Sequence, residues 1–528
     1  INYLKHPDNA GDITIEPHAF DRIYGGCENG TIYGNTYVGI HDGTLYNNAF
    51  GGGWGDISTT TNNNGEETQS ITSADVTGNT HLYVTGGKIG LTAYWLSSTR
   101  FWEPSTIIGG DTYSPQYDPT TQKFKINHNI YGGGNTACTI GKTDENNKLS
   151  GGNARVYMEK GLLYKTTQVL SDAAQKSDAA QENYNFFASN EWKEVFNKVG
   201  SPHFCVFGGG YGENTIVKGN TWLNIEMSER PSIIDPTLDI KDDEEYKHFY
   251  SGYSVMDLVG GGYSGKVEGD THIIGSGGGF CRRVFGGGFY NSVKNTHIDL
   301  KAIDCHDIFG GGLMGDVIMS TNITVGQNGK TTSQASESGS EGTSSSSGFT
   351  NKDIFVHGNI YGGNDVSGYV NINDDNGFFS ANTDDSESGT NIHIYGGHIY
   401  GDVYGAGNGD YLYALDRKGN TKVTVNEDYP LNPNDPNSET VDLVYTVPMR
   451  KNMASVWAAS DAAKIVNINS WRPLTNKTEI HIEGVSTSDK VQIDGAVYGG
   501  GNSATVMKVQ APATTTQSVE LVGSVDIN

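Results

Sequence analysis

Residues 258–312 read LVGGGYSGKVEGDTHIIGSGGGFCRRVFGGGFYNSVKNTHIDLKAIDCHDIFGGG. One phrase occurs three times in this stretch: an aliphatic residue, an aromatic or valine, then three glycines, starting at Leu258, Val284 and Ile308. Outward from it the phrase recurs as IYGGC at Ile23, AFGGG at Ala49, IYGGG at Ile130 and VFGGG at Val206. It continues as IYGGN at Ile360, VYGAG at Val403 and VYGGG at Val497. Val284 lies 26 positions after Leu258 and Ile308 lies 24 after Val284, so the unit is about 25 residues long, stretched elsewhere by insertions.

Inside the unit lies a second phrase: Gly34-Asn35-Thr36, Gly78-Asn79-Thr80, Gly219-Asn220-Thr221, Gly269-Asp270-Thr271, Asn295-Thr296 and Gly419-Asn420-Thr421. It opens a run with period two. Thr36, Val38 and Ile40 share one parity, as do Thr80, Leu82 and Val84, Thr296, Ile298 and Leu300, and Thr478, Ile480 and Ile482. Period two means a strand with one buried face. A third aliphatic position follows nine residues after the start of the glycine phrase, at Ile32, Val267, Val293, Val317 and Val506.

Three extended segments in 25 residues cannot bury a core alone, but like segments of successive units can stack. The fold predicted is therefore all-β: a parallel β-helix (solenoid) of about ten coils, three short strands per coil, in one domain over 1–528. At ~4.8 Å per coil, ten coils make a rod on the order of 50 Å long. The glycines are read as corners, needed for φ > 0 and for close backbone approach. A phosphate-binding reading fails, because no copy is followed by Gly-Lys-Ser/Thr or by a helix. A propeller or sandwich would show a longer repeat or recurrent hairpin turns.

Four insertions interrupt the pattern: an aromatic loop at 91–125, a helical segment at 160–199, a flexible Ser/Gly-rich tract at 330–349, and a Pro-containing loop at 426–475 with a short helix near Ala454–Lys464.

Glycine supplies 72 of the 528 residues and tyrosine 29, with 35% hydrophobic and 18% charged residues. That is too polar and glycine-rich for a helical protein and too aromatic for a disordered one, and no run approaches the ~20 apolar residues a membrane helix needs. The net charge of −26 argues against nucleic acid and against anionic lipid, so neither nucleic-acid binding nor direct membrane insertion is expected. The chain opens at Ile1 without an initiator Met or signal peptide, as a processed product would. The closing VELVGSVDIN still alternates, which suggests further repeats or contact with another copy, so end-to-end or lateral self-association is expected.

The parity opposite the threonines is expected to face solvent. It places Tyr37, His81, Trp222, His272 and His297 on one face as a column of rings, with Tyr83 and Asp299 on the same face, read either as simple side-chain stacking or as a platform for the apolar faces of sugar rings. These are the candidate ligand-binding residues. A metal site of His272, His297 and Asp299 lacks the fixed ligand spacing that makes metal motifs specific, so no metal is assigned. Asp374, Asp375, Asp384 and Asp385 suggest calcium at most; NINDDNG misses the EF-hand spacing by one position, so no cofactor is assigned. Cys281 and Cys305 each precede a glycine phrase by three residues and should stack in adjacent coils, as a cross-coil disulfide or as paired thiols. The aromatics of the glycine phrase interchange Tyr, Phe and Val, which reads as packing.

The VYGGG and GNT phrases resemble the glycine-rich parallel β-helix repeats of bacterial surface, adhesin-like proteins. That resemblance implies an exported, extracellular or cell-surface protein binding a glycan or host surface component. Two alternatives stand beside it. A polysaccharide lyase or glycoside hydrolase on the same scaffold would need a carboxylate cluster beside a cleft, and no catalytic residue can be named. A phage-fibre or self-assembling structural segment is the other.

Overall fold

The computed structural model describes residues 22–41, 48–89, 129–162, 205–225, 255–327, 354–375, 388–415, 472–484 and 491–506, together with short strands between them. The described part is all-β, without a helix, and its largest sheet has 23 strands whose pairings are all parallel.

The repeats predict this pairing position by position. The ten glycine phrases pair in register, Ile23 with Ala49, then Ile130, Val206, Leu258, Val284, Ile308, Ile360, Val403 and Val497. The alternating runs form a second column: Thr36, Thr80, Ala154, Thr221, Thr271, Thr296, Thr321, Thr390, Thr478 and Val525. The third aliphatic position forms smaller parallel sheets, Ile32–Val76–Ile140–Val217–Val267 and Val370–Thr475–Val506, with Val317 bridging Val293 and Val370.

Alternation sets the core. In Thr221–Ile225 and Ser320–Val325 every second residue is buried. Aliphatic side chains of the threonine column meet those of the glycine phrases in one apolar cluster that includes Leu223, Ile273, Ile298, Val206 and Val284. The aromatics of the phrase point the other way into a second cluster with Phe289, Leu313 and Met314. Phe50, Tyr131 and Phe207 stack there with centroids 4.9 Å apart, as do Phe285, Phe309 and Tyr361. Each such pair contributes about 0.5–1.5 kcal/mol beyond area burial. The stack is buried through its middle, and of its rings Tyr498 is the most exposed, at 46%.

Of the two reasons read for the phrase glycines, close backbone approach holds and positive φ does not. The phrase glycines do not adopt positive φ; positive-φ glycines such as Gly34 and Gly141 lie outside the phrases. What excludes a side chain is the next backbone. A Cβ on Gly286 would sit 2.2 Å from the carbonyl oxygen of Gly310, and one on Gly260 would sit 2.2 Å from that of Gly286. Those same carbonyls accept from the threonines: Thr271 Oγ1 donates to Gly286 O, Thr296 Oγ1 to Gly310 O and Thr221 Oγ1 to Gly260 O, each at 2.6 Å. Threonine in one phrase and glycine in the other are thus two halves of one contact. The asparagines form a further ladder, with the backbone N–H of Asn79, Asn153, Asn220 and Asp270 each donating to the side-chain oxygen of the asparagine one repeat earlier.

Several expectations are corrected. Thr421 does not join the threonine column; Thr421–Glu427 pairs antiparallel with Leu412–Leu415 and Val441–Val447. Three of the four insertions are described in part. The aromatic loop at 91–125 contains three antiparallel strand pairs, among them Ala93–Trp95 with Trp102–Pro104. The short helix near Ala454–Lys464 is overturned over Ser455–Trp457, a strand paired with Ile465–Asn467, where Val456, Trp457, Ile465 and Val466 favour extended backbone. The helical segment at 160–199 begins as strand through Leu162; the rest of it, and the tract at 330–349, lie outside the described residues.

Candidate functional site

The solvent-facing side of the threonine column carries the candidate residues in two rows. The first runs Tyr37, His81, Arg155, Trp222, His272, His297, Asn322 and Asn391. The second, two residues further along each strand, runs Gly39, Tyr83, Tyr157, Asn224, Ile274, Asp299, Thr324 and His393. All seven candidates fall in these rows.

Two aromatic patches result. At one end, Tyr37 stacks on His81 at 4.8 Å and Tyr83 on Tyr157 at 4.9 Å, with His81 and Tyr83 6.3 Å apart along the strand. Tyr37 is 66% exposed, so its ring face is open to water. At the other, Trp222 stacks on His272 at 3.8 Å and His272 on His297 at 4.7 Å. The Arg155 guanidinium lies 5.9 Å from the Trp222 ring and so joins the patches. Asp299 stands apart from the rings, 3.4 Å from Lys301 Nζ. Arg155 and Tyr157 escape the sequence reading because Gly152-Asn153-Ala154 replaces the column's threonine with alanine; the Gly-Asn pair was the available signal.

Burial sets the charge of the histidines. Desolvation lowers His272 to about 4, helped by His297 and opposed by Asp270. It lowers His297 against the opposing Asp270, and lowers His81 together with Arg155. At neutral pH these rings are uncharged, with lone pairs available and flat apolar faces. His81 Nδ1 is buried without a hydrogen-bond partner among the described residues.

A second polar cluster is sealed inside. Arg283 donates to both oxygens of buried Asp257, at 3.1 and 2.9 Å, and lies 3.8 Å from Asp365. Asp365 Oδ1 accepts from Asn408 Nδ2 and Tyr411 Oη, while Oδ2 has no hydrogen-bond partner among the described residues. Burial pushes its carboxyl up to about 7, against the pull of Arg283, whose closest geometry belongs to Asp257. Asp257 and Asp365 are 2% and 0% exposed, so this cluster offers no carboxylate to a polymer. Its signal in the sequence is the charge just before a glycine phrase, where other repeats carry Asn48, Asn129 and Asn359.

Cys281 and Cys305 are register partners, as expected; both are buried free thiols rather than a disulfide. Asp374 and Asp375 sit on the strand Asn373–Asp375, paired antiparallel with Phe378–Ser380. Asp384 and Asp385 lie outside the described residues. No family model matches this chain, and neither a curated protein nor a solved structure matches it.

Proposed function

We propose that the three parallel columns belong to one parallel β-helix, and that the protein is an exported, adhesin-like rod that binds a glycan or host surface component on its ringed face. The fold reading is supported by the in-register pairing of ten glycine phrases and by the apolar clusters between the columns. The observation that carries the function is the Tyr37–His81–Tyr83–Tyr157 patch. It holds four rings on one sheet face, in two pairs of nearly parallel rings with one member well exposed. Sugar rings present apolar C–H faces about the size of such a ring, and stacking on them displaces water at little entropic cost, because the rings are already fixed. The Trp222–His272–His297 patch extends the same surface, and Asp299 supplies an acceptor for hydroxyls beside it. A surface of net charge −26 suits neutral or basic saccharides.

The test is a glycan array followed by titration of the best ligands. Tyr37→Ala leaves the core untouched and is expected to weaken binding by about tenfold, roughly 1.4 kcal/mol. A screen without saccharide binding, or unchanged affinity in both Tyr37→Ala and Tyr83→Ala, overturns the proposal. Release of reducing or unsaturated sugars from a polysaccharide panel would instead favour the enzyme alternative.

A further inference from the structure

We propose that Asp270, His272 and His297 form a binding site for a divalent transition-metal cation of the zinc class. One donor atom from each residue can be chosen such that all three lie within 4.8 Å of one another. Register puts them there: His272 and His297 are Cα partners on adjacent strands, and Asp270 precedes His272 by two residues on the same face. A cation bound at about 2.1 Å needs donors about 3.4 Å apart, so the three half-buried side chains must close by up to about 1.4 Å, and the two rings, stacked 9° from parallel, must tilt so that their in-plane lone pairs converge. Remaining coordination positions face solvent.

The two imidazoles are uncommitted, and the carboxylate is held by one amide alone. Asp270 Oδ1 accepts from Asn295 Nδ2 at 2.9 Å, and among the described residues no lysine or arginine pairs with its carboxylate. Neither imidazole makes a hydrogen bond among those residues, so both rings keep their ring nitrogens open to a ligand. The other stacked pair, His393 and His481, differs: His481 Nε2 is bonded to Glu479, which also pairs with Lys477. Composition singles out the same spot. Among Asn35, Asn79, Asn153, Asn220, Asp270 and Asn295, the single carboxylate stands beside the row's adjacent pair of histidines. Two imidazoles and one carboxylate suit zinc or its borderline neighbours, not calcium or magnesium.

This inference stands whether or not the chain binds a glycan, because its test contains no saccharide. The untagged full chain, freed of metal by chelation, is titrated with Co²⁺ while visible absorption is followed, then with Zn²⁺ in competition. One Co²⁺ per chain with the intense bands of four- or five-coordination, displaced by one Zn²⁺, is expected. The column supplies variants that should fold: Asp270→Asn restores the residue found at Asn220, and His297→Asn the one found at Asn322. Each should weaken binding by more than the roughly 10–100-fold that loss of an outer-shell partner costs, with the melting transition retained, while His393→Asn binds as the parent does. Failure of the parent chain to bind stoichiometric Co²⁺ overturns the inference. So does parental affinity in folded Asp270→Asn and His297→Asn.

Discussion

Replacing Thr296 by valine removes one hydroxyl oxygen and keeps the shape. Thr296 is fully buried, and its Oγ1 donates to Gly310 O at 2.6 Å. Among the described residues no other donor reaches that carbonyl, because the N–H of Gly286 goes to Phe309 and that of Gly287 to Gly311. Valine would leave a buried carbonyl unpaired, a loss of about 1–3 kcal/mol, partly offset because a methyl is easier to bury than a hydroxyl. The chain contains the reverse experiment. Ala154 occupies the threonine position in its repeat, and the corresponding carbonyl, Gly208 O, has no donor among the described residues. Ala154→Ser should therefore gain about 0.5–1.5 kcal/mol, with little added volume. Urea unfolding of parent and variants, compared at constant m, reads both shifts. A Thr296→Val midpoint equal to the parent's, together with no gain in Ala154→Ser, would refute the pairing of threonine with glycine as a source of stability.

Glycine substitutions and pH give further outcomes. Gly286→Ala places a methyl 2.2 Å from Gly310 O and 2.8 Å from Thr296 Cβ, so it should cost at least the roughly 1–3 kcal/mol of overpacking, whereas Gly500→Ala, with nothing within 4 Å, should stay within about 0.5 kcal/mol of the parent by thermal melting. Asp365 has its folded pKa raised to about 7, above the unfolded value near 3.8, so the folded state holds the extra proton between those limits. Its contribution is fully present at low pH and declines as pH rises from about 4 through 7, by a few kcal/mol at most. Asp365→Asn should remove that decline; stability–pH curves with the same slope in both proteins would contradict the assignment.

How much was legible follows from what each signal depends on. Register needs only spacing, so the column from Ile23 to Val497 and the stacking of His272 on His297 could be read from repeats alone. Membership failed where the phrase was degenerate: Ala154, Thr321 and Thr390 joined the column without a full Gly-Asn-Thr, while Thr421, which has one, went to an antiparallel sheet. There Val423 and Val425 found partners in Leu443 and Tyr445 of a nearby strand. Of the two roles read for the phrase glycines, close backbone approach holds and positive φ does not; both leave the same residue in the sequence, and only the neighbouring carbonyl distinguishes them. The carboxylate that groups with the stacked histidines is Asp270 rather than Asp299, although each stands two residues from a ring on its own strand face; Asp299 pairs instead with Lys301. The Arg283–Asp257–Asp365 cluster joins three repeats; the charges before two glycine phrases mark Asp257 and Arg283, while Asp365 follows its phrase and carries no such mark.

The central claim is that successive repeats stack in parallel at a constant rise. Nitroxide labels on outward positions of the first row test it, with one label at Tyr37 and the second at His272, Asn322 or Asn391. These are four, six and seven pairings away. At ~4.8 Å per repeat, pulsed dipolar spectroscopy should give separations near ~19, ~29 and ~34 Å, increasing linearly with the number of repeats. Distances that do not grow with repeat number, or that place Asn391 nearer to Tyr37 than His272, would contradict it.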